Sequence, residues 1–300
     1  MGEKQGRNTS STKLARLLFG KGRTSTYLPG ADVRLLNSIE AKLSKLDDIE
    51  KNLKKLQSDL NRKIPEIAPR MIKSTPDKFK EIEGKFSGQR CFLLGTAPSL
   101  SKLDFAALRG EKVITVNGGL NLLGNQLDNI CGYVVADPVF YRDYNHEIDI
   151  SRIDHTFINS TANITNPVHL KEAFIFDSYK QPKMHEGAFQ FDLTQPVFSS
   201  HTVMHVAIQI AVYMGFTSIN IAGVDLSFGG KNPHFYASNR REISDSESRS
   251  KKNAEKMYLG FERANKILQE RGIKLYNLSK AGSLDCIERV GLRHALSKTS

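Results

Sequence analysis

Seven short apolar runs, each closed by small or polar residues, punctuate this chain between residues 90 and 278. Arg90–Gly95, Lys112–Asn117, Gly132–Ala136, Thr156–Asn159, Ala173–Asp177, Ser218–Gly223 and Lys274–Leu278 carry the near-continuous hydrophobicity of strands buried on both faces. Two intervening segments switch to the helical period. Thr202–Met214 puts Val203, Val206, Ile210 and Tyr213/Met214 on one side, with Gly215 just past its end. The other runs from Lys251 to Arg271 and stops at Gly272. Strands joined by helical crossovers make a parallel sheet with helices on both faces, so the pattern predicts an α/β, Rossmann-like body.

Upstream, one segment carries the helical period. Residues 32–63 predict one long helix whose Leu36, Ile39, Leu43, Leu46, Leu53 and Leu60 follow a near-heptad seam. Glu50 and Gln57 interrupt that seam, while Ile49 and Leu56 shift the stripe sideways. A homo-oligomer formed through residues 32–63 as a coiled coil is one expectation; packing of the same face on the body is the other. Pro65, Pro69 and Pro76 then break the helix. The expected organisation is a basic flexible tail (1–30), a long amphipathic helix (31–64), a Pro-containing linker (65–88) and a Rossmann-like catalytic domain (89–300).

Composition narrows the class. Three hundred residues, 39% hydrophobic and 25% charged, fit a soluble globular protein of one or two domains. No apolar run approaches the roughly 20 residues of a membrane span, and Leu17-Leu18-Phe19 is short for a secretory signal. Cys91, Cys131 and Cys286 are odd in number and far apart, which argues against a disulfide framework or zinc site and for a reducing cytoplasm.

Charge changes the picture only at the N-terminus. Residues 1–88 hold 19 Lys and Arg against 11 Asp and Glu, +8 of the chain's +11. No zinc-finger spacing or aromatic–basic RNA motif accompanies this charge, so no nucleic-acid partner is expected. Lys13-Leu-Ala-Arg-Leu-Leu-Phe19 instead suits peripheral contact with an anionic membrane at its inner face. A solvated tail is the alternative.

Ligands of open parallel sheets bind at the carboxyl ends of the strands. The first strand ends in Gly95-Thr96-Ala97-Pro98-Ser99, a glycine-broken turn that lets backbone approach a ligand and precedes a helix-compatible segment whose free N–H groups favour an anion. The second ends in Asn117-Gly118-Gly119, the third in Asp137-Pro138 and the sixth near Asp225. Ser199-Ser200-His201-Thr202 precedes the first clear helix. Each has a structural alternative: Asn117 can shape a turn, Asp137 can cap a helix, and the serines can cap the next one. Their convergence on one edge points to a nucleotide pocket.

Gly95-Thr-Ala-Pro-Ser-Leu100, Val116-Asn-Gly118, Ser199-Ser-His-Thr-Val-Met204, Tyr213-Met-Gly-Phe216, Ile221-Ala-Gly-Val-Asp225 and Ile273-Lys-Leu-Tyr-Asn-Leu278 together carry a resemblance over most of residues 89–285. The body resembles compact, single-Rossmann bacterial sialyltransferases and the wider pterin-diphosphokinase-like (MptE-like) group found in surface-polysaccharide synthesis. By that resemblance Gly95, Thr96, Ala97, Pro98, Ser99, Asn117, Gly118, Asp137 and Ser199–Thr202 hold a CMP-sugar donor. The family loop carries asparagine where this chain has Thr96.

Asp225, His234 and Tyr236 are the catalytic candidates. Asp225 matches the family's acid after the late strand, and Tyr236 stands in for a tyrosine that binds the leaving phosphate. The family histidine lies shortly before the last long helix, but residues 240–265 hold no His. His234, in Asn232-Pro-His-Phe-Tyr236, is therefore the candidate base, with His201 second. The polar segment 228–250 reads as a lid loop.

The implied activity is transfer of a sialic acid-like sugar or 3-deoxy-manno-octulosonic acid from a CMP-activated donor to a glycan or glycolipid acceptor, by inverting displacement, with no cofactor or metal required. One alternative is a pterin diphosphokinase using Mg²⁺–ATP, with Asp137 and Asp225 as metal ligands. The other is a non-catalytic scaffold.

Overall fold

The computed structural model describes residues 38, 41–49, 51–53, 55–56, 74–122, 126–127, 130–137, 140, 150–161, 172–179, 188–226 and 240–297. The chain divides into two compact units, Met1–Ala68 and Pro69–Ser300. In the first, residues 41–49 and 51–53 are helical. The tail expected over 1–30 lies outside the described residues.

The second unit is built on one sheet of seven parallel strands in the order β5-β4-β3-β2-β1-β6-β7. They are β1 (Arg90–Leu94), β2 (Val113–Val116), β3 (Ile130–Val135), β4 (Ile153–Asn159), β5 (Phe174–Phe176), β6 (Ser218–Ala222) and β7 (Lys274–Asn277). Every strand expected from the apolar runs is present. The fold is α/β and Rossmann-like.

β1 lies between β2 and β6, with Leu93 level with Ile114 of β2 and Ile221 of β6. The chain steps outward from β1 to β5, then returns to build β6 and β7 on the other side. Strand order therefore reverses between β1 and β6, where ligands of such sheets collect.

The pleat sends alternate residues to two cores. Cys91, Leu93, Ile114, Val116, Ile219 and Ile221 face helices α2 (Val203–Tyr213) and α3 (Arg240–Glu270). Phe92, Leu94, Val113 and Ala222 face the 3₁₀ turns Pro98–Lys102 and Phe105–Leu108 and helix α4 (Leu292–Ser297). Each buried large apolar side chain contributes about 1.5–3 kcal/mol. Helix α2 starts where Thr202 Oγ1 accepts the Met204 N–H (3.2 Å) and ends before Gly215, at φ +96°. Among the described residues, no helix is long and apolar enough to cross a membrane.

Within the span expected as a Pro-containing linker, Phe79, Ile82 and Phe86 are buried in the main core, and the Thr75 N–H donates to Ile175 O (2.9 Å). Pro76 opens the short helix α1 (Pro76–Phe79), where its missing N–H costs nothing, so the proline ends one element and starts another. The segment read as a polar loop to residue 250 is helical from Arg240, because no Gly or Pro occurs between 240 and 259 to stop α3. The turn after Ala97 is a single 3₁₀ helix rather than an α-helix.

Candidate active site

The tips of β1 and β6 lie directly on each other. The Gly95 N–H donates to Ala222 O (2.8 Å) and the Ala97 N–H to Gly223 O (2.9 Å). A Cβ on Gly95 would stand 2.3 Å from Gly223 O, so only glycine fits there. Asp225, 6% exposed, accepts the Ser99 N–H (3.1 Å) and the Ser99 hydroxyl. The Ser99 Oγ lies 3.3 Å from Ser279 Oγ, which in turn accepts the Gly223 N–H (3.1 Å). The Ser99 N–H, read from the sequence as an anion contact, is thus spent on the protein's own carboxylate. Thr96 and Ala97 remain partly exposed beside it, and Pro98 is exposed.

Four non-glycine residues occupy the left-handed region among the described residues: Asn117 (φ +43°), Ser200 (+42°), His201 (+61°) and Leu226 (+46°). All four follow a strand tip or precede α2, and such geometry costs on the order of 1–3 kcal/mol each. Two of them also carry buried side-chain atoms without a hydrogen-bond partner among the described residues, Asn117 Oδ1 and Ser200 Oγ. Leaving such an atom unpaired costs about 1–3 kcal/mol unless a ligand or water completes it. Thr115 Oγ1, bonded to Leu94 O (3.1 Å), lies where any side chain on Gly119 would go, which holds the Asn117 turn, with Gly118 buried, in place.

Helix α3 closes on the Ser200 turn. A Cβ on Gly260 would stand 2.6 Å from Ser200 Cβ. One turn into α2, fully buried His205 donates from Nε2 to Ala188 O (3.1 Å), leaving Nδ1 as a bare acceptor without a partner. Burial pushes its pKa down to about 4, so the ring is neutral. The other candidates have local duties. Ser199 O accepts the Thr202 N–H (2.8 Å), Thr202 caps α2, and exposed Asp137 accepts the Phe140 N–H (3.4 Å). His234 and Tyr236 lie outside the described residues.

Sequence reasoning missed a cavity of about 600 Å³ bordered by Ser99 of the Ser99–Asp225 bridge. Ser99, Gly223 and Ser279 lie at its wall together with Lys102, Lys280 and Arg293. Arg289 also borders it, but its guanidinium donates to the carbonyls of Ser279 (2.9 Å), Ala281 (3.1 Å) and Gly282 (2.6 Å) and so shapes the loop. The strand-tip rule, applied to β7 as to the others, would have found Ser279 and Lys280.

At the opposite, amino-terminal edge, ligand-type atoms of Cys131, Asp154 and His155 lie within 4.8 Å of one another. Lys85 Nζ stands 3.1 Å from His155 Nε2, which must therefore accept, while Nδ1 donates to Cys131 O (2.9 Å). Both ring nitrogens are engaged, and an ammonium faces one of them. The geometry suits a neutral, structural histidine; burial, with Lys85 beside it, lowers its pKa.

A family model matches residues 68–231, that of the 6-hydroxymethylpterin diphosphokinase MptE-like proteins. The chain belongs to the MptE-like family. No curated protein matches it. Among solved structures, this MptE-like chain is similar to the Campylobacter jejuni sialyltransferase CstII in complex with CMP-3FNeuAc, at 16% identity and a TM-score of 0.41, covering 67% of this chain and 86% of that one. It is similar to the monofunctional α-2,3-sialyltransferase Cst-I of the same organism at 15% identity and a TM-score of 0.43, covering 68% and 80%. It is also similar to the MAf glycosyltransferase of Magnetospirillum magneticum AMB-1 at 13% identity and a TM-score of 0.46, covering 79% of this chain and 41% of that one.

Proposed function

We propose that this MptE-like protein is a glycosyltransferase that passes an acidic sugar from a CMP-activated donor to a glycan or glycolipid acceptor in surface-glycan assembly. The observation that carries the reading is Asn117 Oδ1, a buried acceptor without a partner among the described residues, held by a left-handed backbone at the tip of β2. The cytosine amine and the ribose hydroxyls of a cytidine nucleotide supply the donor such an atom needs.

The donor phosphate faces Thr96 and the Ser199–Thr202 turn, whose hydroxyls stabilise the charge that grows as CMP departs. Ser99 and Asp225 act as a brace that keeps the β1 and β6 turns together. Lys102, Lys280 and Arg293, against the single carboxylate of Asp104, give the adjoining cavity a positive field that suits the carboxylate of the transferred sugar. In the reaction, the acceptor oxygen bonds to the anomeric carbon as that carbon's bond to the phosphate oxygen breaks. CMP leaves with the electron pair, and the acceptor proton passes to a base. The resemblance assigns that base to His234 and the contact with the leaving phosphate to Tyr236.

The family description itself favours a second reading, a diphosphokinase using Mg²⁺–ATP. Its proposed metal ligands, Asp137 and Asp225, follow β3 and β6, strands three spacings apart in the sheet. Those tips are roughly 14 Å apart, whereas Mg²⁺–oxygen bonds are about 2 Å.

The test is CMP release from CMP-sialic acid and CMP-3-deoxy-manno-octulosonic acid, run beside ATP consumption with 6-hydroxymethylpterin and Mg²⁺. Release of CMP dependent on the acceptor supports the transferase. Pterin-dependent ATP consumption without CMP release would replace it with the kinase.

A further inference from the structure

The N-terminal helical segment exposes a row of large apolar side chains: Leu43 (41% exposed), Leu46 (59%), Ile49 (54%), Leu53 (60%) and Leu56 (65%). Their spacings of three, three, four and three residues form a continuous seam once a single three-residue phase shift is placed between Leu46 and Ile49. Leu43 then takes position a and Leu46 position d of one heptad; Ile49, Leu53 and Leu56 take d, a and d of the next register. A three-residue shift of this kind overwinds a coiled coil locally without ending it. The seam therefore runs through the point where Glu50 seemed to interrupt it.

We propose that this segment binds further copies of the same chain as a parallel coiled coil of three or four strands. The charges beside the seam choose the partner and its direction. In the first register Lys42 falls at g and Asp47 at e. In a parallel assembly each g residue meets the e residue five positions on in the neighbouring strand, pairing Lys42 with Asp47. An antiparallel arrangement opposes g to g and e to e, which sets lysine against lysine and acid against acid. Identical chains are thus complementary in one direction only.

The core residues set the number of strands. Leu43 and Leu53 at a lack the β branch that favours two strands, and of Leu46, Ile49 and Leu56 at d one carries it, which is closer to the leucine-at-a, isoleucine-at-d pattern of three or four strands than to the two-stranded pattern. Exposed leucines at this spacing in an isolated helix would be an aggregation hazard, and association removes it.

The experiment is the solution mass of the full chain by light scattering or sedimentation. The account predicts three or four times 33.6 kDa, falling to a single chain in the Leu46→Lys/Leu53→Lys variant. Both positions lie in the first unit, and circular dichroism checks that the variant stays folded. Reversing g alone (Lys42→Glu) or e alone (Asp47→Lys) should each lower the mass, and combining both changes in one chain should restore it. A wild-type mass of one or two chains, a mass unmoved by the leucine substitutions, or single-sided charge reversals without effect would overturn the proposal.

Discussion

The carboxylate of Asp225 accepts both the N–H and the hydroxyl of Ser99, tying the tip of β6 to the tip of β1 where strand order reverses. The bridge is mostly buried and continues through Ser279 to the Gly223 N–H. It consumes the donor that an anion would otherwise take, and it fixes the two turns that flank the crevice.

Asp225→Asn should therefore damage the site twice. The amide keeps one acceptor but loses its charge and faces its own NH₂ toward a donor. A hydrogen bond to a charged group is worth about 1.5–3 kcal/mol, so a Tm lower by several degrees and CMP affinity at least tenfold weaker are expected. Ser99→Ala should cost less, because the backbone N–H bond survives. Differential scanning fluorimetry and calorimetric titration on the two variants check the order.

Asn117→Gly should separate stability from binding. Glycine accepts φ +43° without strain and removes an unpaired buried acceptor, so Tm should stay within a degree or two of wild type or rise. Affinity for CMP should fall about 10- to 100-fold, the loss of one or two good hydrogen bonds. Equal losses of stability and binding would assign Asn117 a structural role only.

Much of this architecture is legible in the sequence because buried parallel strands are written as apolar runs. The run containing Phe92 and Leu93 and the one containing Ile219 and Ile221 are both flanked by strands on either side, and no competing pattern obscures them. The Thr202 cap and Gly215 mark α2 for the same local reasons. Long-range contacts are not legible. Nothing around Asp225 announces that it bonds Ser99, 126 residues away, rather than a ligand. Phe79, Ile82 and Phe86 were hidden among prolines and lysines, and their burial depends on α2 and β5 packing over them. His205 reads as one more position on a helix face; only the fold shows that both sides of the ring are enclosed.

Gly260→Ala should act on the site from a distance. Its new methyl would meet Ser200 Cβ at 2.6 Å, and overpacking of this kind typically costs about 1–3 kcal/mol. Either α3 moves or the Ser200 turn does, so CMP affinity should weaken along with Tm. An unchanged Tm would show that the helix yields freely there.

His205 predicts an acid-labile fold. Its folded pKa, pushed down to about 4 by burial, lies below the ordinary value near 6.5, so the folded state resists protonation. Its contribution is fully present above about pH 6.5 and is lost as pH falls from 6.5 toward 4. The loss is on the order of 3 kcal/mol. His205→Gln, which keeps a donor and an acceptor, should flatten Tm over that window, whereas a wild-type-like slope would move the acid sensitivity elsewhere.

Calorimetric titration of the full chain with CMP, set against AMP and 6-hydroxymethylpterin, bears most directly on the claim that a cytidine phosphate occupies the crevice at the tips of β1, β2 and β6. The account predicts saturable binding of CMP, at least tenfold tighter than the other two and weakened in Asn117→Gly. Preference for AMP or the pterin, or CMP binding indifferent to Asn117, would contradict it.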